Sequence, residues 1–73
     1  MARLRVLSGR EVVAILAENG FVEVRRRGSH IVMQRRADES TVTAVVPDHK
    51  EVRVSTLRSI IRQSRLPRDL FEA

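Results

Sequence analysis

Seventy-three residues, no cysteine and a formal net charge of +5 bound what this chain can be. Without thiols there is neither a disulfide framework nor a thiolate metal site, and no run approaches the roughly 18 apolar residues that span a membrane. Hydrophobic residues at 42% suffice for one core near the lower size limit for a domain, which excludes a disordered tail. One domain over residues 1–73 is expected. Met1-Ala2-Arg3-Leu4-Arg5 lacks the apolar run of a signal peptide, so a cytoplasmic protein is expected as well.

In chain order, the first element is a helix. Ser8-Gly9-Arg10-Glu11 fits a capping box, with Leu7 and Val12 at the flanking apolar positions. Val12, Ile15, Leu16 and Asn19, widened by Val13, lie on one arc at helical spacing, and Asn19-Gly20 supplies a left-handed stop. The spacing predicts a helix over Gly9–Asn19. Phe21–Arg26 then alternates as a strand, with Val22 and Val24 on one face and Glu23 and Arg25 on the other. Arg27-Gly28-Ser29 is a turn, and His30–Arg35 returns as the second strand of a hairpin. Alternation from Ile31 and Met33 on the covered face turns His30 to the open face with Val32 and Gln34.

Ala37-Asp38-Glu39-Ser40 is a second turn, and Thr41–Val46, rich in β-branched residues, is the third strand. Pro47 ends it, and Asp48–Arg53 reads as a connecting loop. Ser55 is the expected N-cap of a second helix. Leu57, Ile60, Ile61 and Ser64 form its buried stripe, flanked by a cationic ridge of Arg58, Arg62 and Arg65. Pro67 breaks that helix, and Arg68–Ala73 forms a final turn with Leu70 and Phe71 against the core. The order α-β-β-β-α predicts an α+β fold with both helices on one face of a three-stranded antiparallel sheet, the layout of double-stranded-RNA-binding domains.

All but one of the 14 basic residues are arginine, whose planar fork matches phosphate oxygens two at a time. That balance favours nucleic acid or an acidic protein as partner. With no Trp or Tyr and only Phe21 and Phe71, base-stacking modules such as RRM and OB folds are disfavoured. Backbone, shape and 2′-hydroxyl contacts then carry any RNA binding. The most informative segment is Gly28-Ser29-His30, preceded by Arg25-Arg26-Arg27. It places a histidine at the junction of a tight turn and a strand, beside three cations.

Gly20-Phe21, Gly28-Ser29-His30, Val46-Pro47-x-His49 and Thr56-Leu57-Arg58-Ser59-Ile60-Ile61-Arg62-Gln63 occur in the order and spacing of the HicA (YcfA-like) family. The chain resembles that family over about residues 8–66. The resemblance implies a small toxin of a bacterial type II toxin–antitoxin pair, acting as an mRNA interferase. It further implies the double-stranded-RNA-binding-like fold, the histidine of the Gly-Ser-His element (here His30) as catalytic residue, and a HicB-type antitoxin that covers the catalytic surface. One departure stands out: Arg65 occupies Ser64-Arg65-Leu66 where many members carry glycine, which leaves the end of the second helix open.

RNA carries its own nucleophile, the 2′-hydroxyl, so such an enzyme needs a proton carrier near neutral pH and positive charge at the phosphate. Histidine, with an ordinary pKa of about 6.5, suits the first role, and arginine donors suit the second. No cofactor is required. Asp38-Glu39 and Asp48-His49 are too sparse for a metal ligand set and read as loop residues. The resulting expectation is a metal-independent endoribonuclease with His30 as acid/base residue and His49 as an assisting residue. Arg25, Arg26, Arg27, Gly28, Ser29 and Lys50, then Arg58 and Arg62, are the expected RNA contacts. A non-catalytic RNA-binding module using the same face, and an interaction protein whose ligand is an acidic antitoxin, are the alternatives.

Overall fold

The computed structural model describes residues 2–73. Helix α1 spans Gly9–Glu18 and begins at the expected capping box. The Ser8 hydroxyl accepts from the Glu11 N–H (3.1 Å), and the Glu11 carboxylate accepts from the Ser8 N–H (2.8 Å). Two otherwise orphaned donors of the first turn are satisfied in this way. At the other end the Phe21 N–H donates to the Leu16 carbonyl (3.0 Å) and the Gly20 N–H to Ala17 (3.2 Å), with Gly20 at φ +92°. This is the paired closure that a left-handed glycine permits.

Strands β1 (Val22–Arg27), β2 (His30–Ala37) and β3 (Ser40–Pro47) form one antiparallel sheet in the order β1-β2-β3. Both hairpins close with two-residue turns, Arg27 pairing with His30 and Ala37 with Ser40. The first central residue of each turn, Gly28 (φ +57°) and Asp38 (φ +54°), takes the left-handed conformation. The expected simple alternation of β1 does not hold. A register irregularity between Glu23 and Arg25 makes Val24 an extra residue. Val22 is thus opposite Gln34 and Arg25 opposite Val32, so both belong to the open face, and the bulge reverses the side assigned to Arg25.

Ile31, Met33, Val42, Ala44 and Val46 line the covered face and join Val12, Leu16, Leu57 and Ile60 in one core. Helix α2 (Val54–Ser64) lies over this face and also along the outer edge of the sheet, where the Gln63 side-chain oxygen accepts from the Val45 N–H (3.1 Å). That contact partly covers an edge strand that would otherwise be free to pair. Pro47 closes β3 as its last residue.

The start of α2 differs from the expected Ser55 cap. Arg53 is the capping residue, without a side-chain cap bond, and its carbonyl accepts from the Leu57 N–H (2.8 Å). The neighbouring Val52 is buried and its N–H is held by the Leu7 carbonyl (2.7 Å), so the chain is already fixed when it reaches Arg53. Arg65 is the C-cap at φ +61°. It takes the left-handed conformation a glycine would take more easily, and the cationic ridge ends at Arg62. Phe71 is fully buried and Leu70 half-buried, in the 3₁₀ turn Arg68–Phe71. The Arg5 N–H donates to Phe71 and the Ala73 N–H to Arg3, each at 2.9 Å, tying the two ends of the chain together. Among the described residues, no helix is long and apolar enough to cross a membrane.

Candidate active site

His30 is the first residue of β2, is solvent-exposed, and has Arg27 on one side and Pro47 on the other as cross-strand partners. Strand alternation turns it away from the core, so it stands at the corner of the open face next to the hairpin turn. A side chain built on Gly28 would meet nothing within 4 Å, so the turn before His30 borders open space.

Two shallow clefts meet at His30. One, of about 420 Å³, lies on the open face between Arg25, Arg27, His30, Val32 and Val45. Arg25 and Val45 flank Val32, which explains why Val32 is buried although it lies outside the core. The other, of about 470 Å³, runs past the end of β3, with His49, Glu51, Arg53 and Thr56 beside His30 over Val45 and Pro47. The lining of this cleft thus carries two imidazoles, one guanidinium and one hydroxyl, with Glu51 as its one carboxylate.

The middle arginine before the turn behaves differently. Arg26 lies on the side of β1 opposite Arg25 and Arg27. Its Nε donates to the Gly28 carbonyl (3.2 Å), and its Nη2 forms a close ion pair with the Asp48 carboxylate. Arg10 approaches the same carboxylate at 3.7 Å. The Asp48 N–H donates to the Ser29 carbonyl at 2.6 Å. Asp48 thus binds the turn through its backbone and, by way of Arg26, through its side chain. The Arg26 hydrogen bond, aided by the charges of Arg10 and His49, holds the Asp48 carboxyl below the usual carboxylate range.

Of the residues anticipated from the sequence, the fold brings together His30, Arg25, Arg27, Gly28, Ser29 and His49. Lys50 is exposed in the loop but lines neither cleft. Arg58 and Arg62 stand in a separate groove on α2 with Ile61 and Arg68. Asp48, Glu51, Arg53 and Thr56 are additions. Asp48 lies in the expected loop, and its only local signal is its place between Pro47 and His49. Among the described residues, no three His, Asp or Glu side chains are grouped so as to hold a metal ion.

The family model described as HicA toxin of bacterial toxin-antitoxin matches residues 9–66. That span includes every residue of both clefts. No curated protein sequence matches the chain.

Proposed function

The chain belongs to the HicA toxin family, and on that premise we propose that it arrests growth as a metal-independent endoribonuclease cutting mRNA in the cytoplasm, with His30 accepting the proton of the attacking 2′-hydroxyl. The observation that carries this reading is the position of His30. It is an exposed imidazole beside a turn whose Gly28 borders open space, with the Arg25 and Arg27 cations on the same face.

The chemistry follows from the substrate. A 2′-oxygen attacks the adjacent phosphorus, and its proton must leave as the bond forms. A neutral imidazole within hydrogen-bond reach takes that proton, an effect typically worth about 10²- to 10⁴-fold. Charge then grows on the non-bridging oxygens, where guanidinium donors stabilise it more than in the ground state. The guanidiniums that border His30 are Arg25 and Arg27 on the open face and Arg53 in the adjoining cleft. The ribose supplies the nucleophile, so the protein needs neither a covalent intermediate nor a metal-bound hydroxide.

The partner in this reading is a HicB-type antitoxin seated on the open sheet face. An acidic protein there would exclude RNA and neutralise Arg25 and Arg27 together, with little movement of the toxin backbone. His30 losing its solvent exposure in the complex is the expected result; an antitoxin seated on the helix layer with His30 still open would refute it.

The decisive experiment compares wild type and His30→Ala on a defined RNA. Cleavage should fall about 10²- to 10⁴-fold while RNA affinity changes little, because an imidazole adds little to phosphate binding. Full activity in His30→Ala would end this assignment, and loss of binding in proportion to cleavage would favour a non-catalytic binding role. A substrate with 2′-deoxyribose at the scissile position should resist cutting, and chelators should leave the rate unchanged.

A further inference from the structure

In-line displacement at phosphorus places the attacking and leaving oxygens on opposite sides. One imidazole next to the 2′-oxygen therefore cannot also protonate the departing 5′-oxygen in the same step. An alkoxide is a poor leaving group in water, so that second transfer needs its own donor. His49 is the titratable donor that shares a cleft with His30.

The loop that carries His49 is built rather than loose. The His49 N–H donates to the Pro47 carbonyl (2.9 Å), and its carbonyl accepts from the Gly9 N–H at the start of α1 (2.8 Å). Gly9 is buried, and a side chain there would come within 2.1 Å of the Pro47 carbonyl oxygen, so the helix terminus is seated directly against the loop. Asp48 turns its carboxylate to Arg26 and Arg10, whereas the next residue, His49, lines the cleft. Both backbone polar groups of His49 are occupied, which leaves its exposed imidazole as the free group. Arg53 and Thr56, from the start of α2, add a guanidinium and a hydroxyl to the lining of the same cleft.

We infer that His49 is the second proton carrier of the reaction, giving its proton to the 5′-oxygen, with the scissile phosphate held in the cleft between His30 and His49 by Arg53. The inference rests on the reading of His30 as base. The step balances: the bond from the 2′-oxygen to phosphorus forms as the bond from phosphorus to the 5′-oxygen breaks. The 2′-hydroxyl proton passes to His30, and the His49 proton passes to the leaving oxygen. The products are a 2′,3′-cyclic phosphate and a 5′-hydroxyl end, and exchange with water restores both imidazoles.

The test uses two substrates of the same sequence, one normal and one with sulfur in place of the bridging 5′-oxygen. A thiolate leaves without a proton, so only the need for the acid is removed. His49→Ala and His49→Gln should each lose about 10²-fold or more on the oxygen substrate and come within a few-fold of wild type on the sulfur substrate. That recovery would also show the variants to be folded. His30→Ala should remain slow on both. His49 variants that cut the oxygen substrate at the wild-type rate, or that stay slow on the sulfur substrate, would overturn the inference while leaving His30 as base. Rescue of His30→Ala in place of the His49 variants would overturn the assignment of roles. A wild type that cuts neither substrate would instead remove the ribonuclease reading itself, and this inference with it.

Discussion

The backbone N–H of Asp48 donates to the carbonyl of Ser29 at 2.6 Å, so the loop that leaves β3 is stitched to the turn that presents His30. The Asp48 carboxylate reinforces this contact through Arg26, which also holds the Gly28 carbonyl. Misplacing a proton carrier by about 1 Å can cost on the order of a hundredfold in rate. Asp48→Ala and Arg26→Ala should therefore each slow single-turnover cleavage on the order of tenfold to a hundredfold, with no loss of RNA affinity in Asp48→Ala. The two residues act on the same turn, so the double variant should lose little more than either single one. Losses that multiply would show that the pair does not work as a unit.

Acid should weaken the fold through two identified carboxylates. The Ser8 backbone N–H, then its hydroxyl, hold Glu11 below the ordinary glutamate range, and Arg26 does the same for Asp48. A group whose folded pKa is depressed stabilises the fold above its unfolded pKa, and that contribution is lost as pH falls through the folded value. With unfolded values near 4.3 for Glu and 3.9 for Asp, the melting temperature should be flat from pH 7 to about 5 and drop below about 4. Glu11→Gln and Asp48→Asn should be less stable than wild type at pH 7 and approach it as acid titrates the two carboxylates in the folded protein. A deficit unchanged across that range would assign their effects to packing instead.

RNA affinity should report which arginines face the substrate. Phosphate contacts make the logarithm of affinity fall linearly with the logarithm of salt, and removing one contact lowers the slope by about one. Arg25→Ala and Arg27→Ala should each do this, since both border the open-face cleft with His30. Arg26→Ala should leave the slope nearly unchanged, because its guanidinium is already engaged by Asp48. Equal slope changes for all three would place RNA on both sides of β1.

What the sequence made legible was mostly local. The Ser8–Glu11 box, the Asn19-Gly20 stop and the Gly28 turn each depend on residues within a few positions of one another, and the strand alternation around Ile31 and Met33 set the face of His30. The bulge at Val24 carries no glycine or proline to announce it, so simple alternation puts Val22 and Arg25 on opposite faces where the structure has them on one. The start of α2 is set by Val52 bonding to Leu7, a contact between residues far apart in sequence. The residues of the site were legible, but the pairings among them were hidden for the same reason. Arg26 meets Asp48, and His30 shares a cleft with His49, because the pairing of His30 with Pro47 carries the loop back to the hairpin. A Pro-Asp-His loop has no spacing rule that reveals which side chain turns to which partner.

Gly9 links stability to the candidate site and gives the last test. Near the start of a helix, glycine to alanine ordinarily helps, by up to about 1 kcal/mol. Here the added Cβ would lie 2.1 Å from the Pro47 carbonyl oxygen and 2.9 Å from the Asp48 Cα, so backbone rather than a flexible side chain must move. Overpacking of that kind costs about 1–3 kcal/mol, which exceeds the helix gain. At about 4–8 °C per kcal/mol for a domain of this size, Gly9→Ala should melt several degrees below wild type. The displaced atoms belong to the segment that bears His49 and the Asp48 latch, so cleavage measured well below the melting temperature should fall as well. A control at the neighbouring exposed position, Arg10→Ala, should keep nearly all of its stability. A Gly9→Ala protein that melts at or above wild type with full activity would mean that α1 and the loop can separate freely, and that their contact does not position the site.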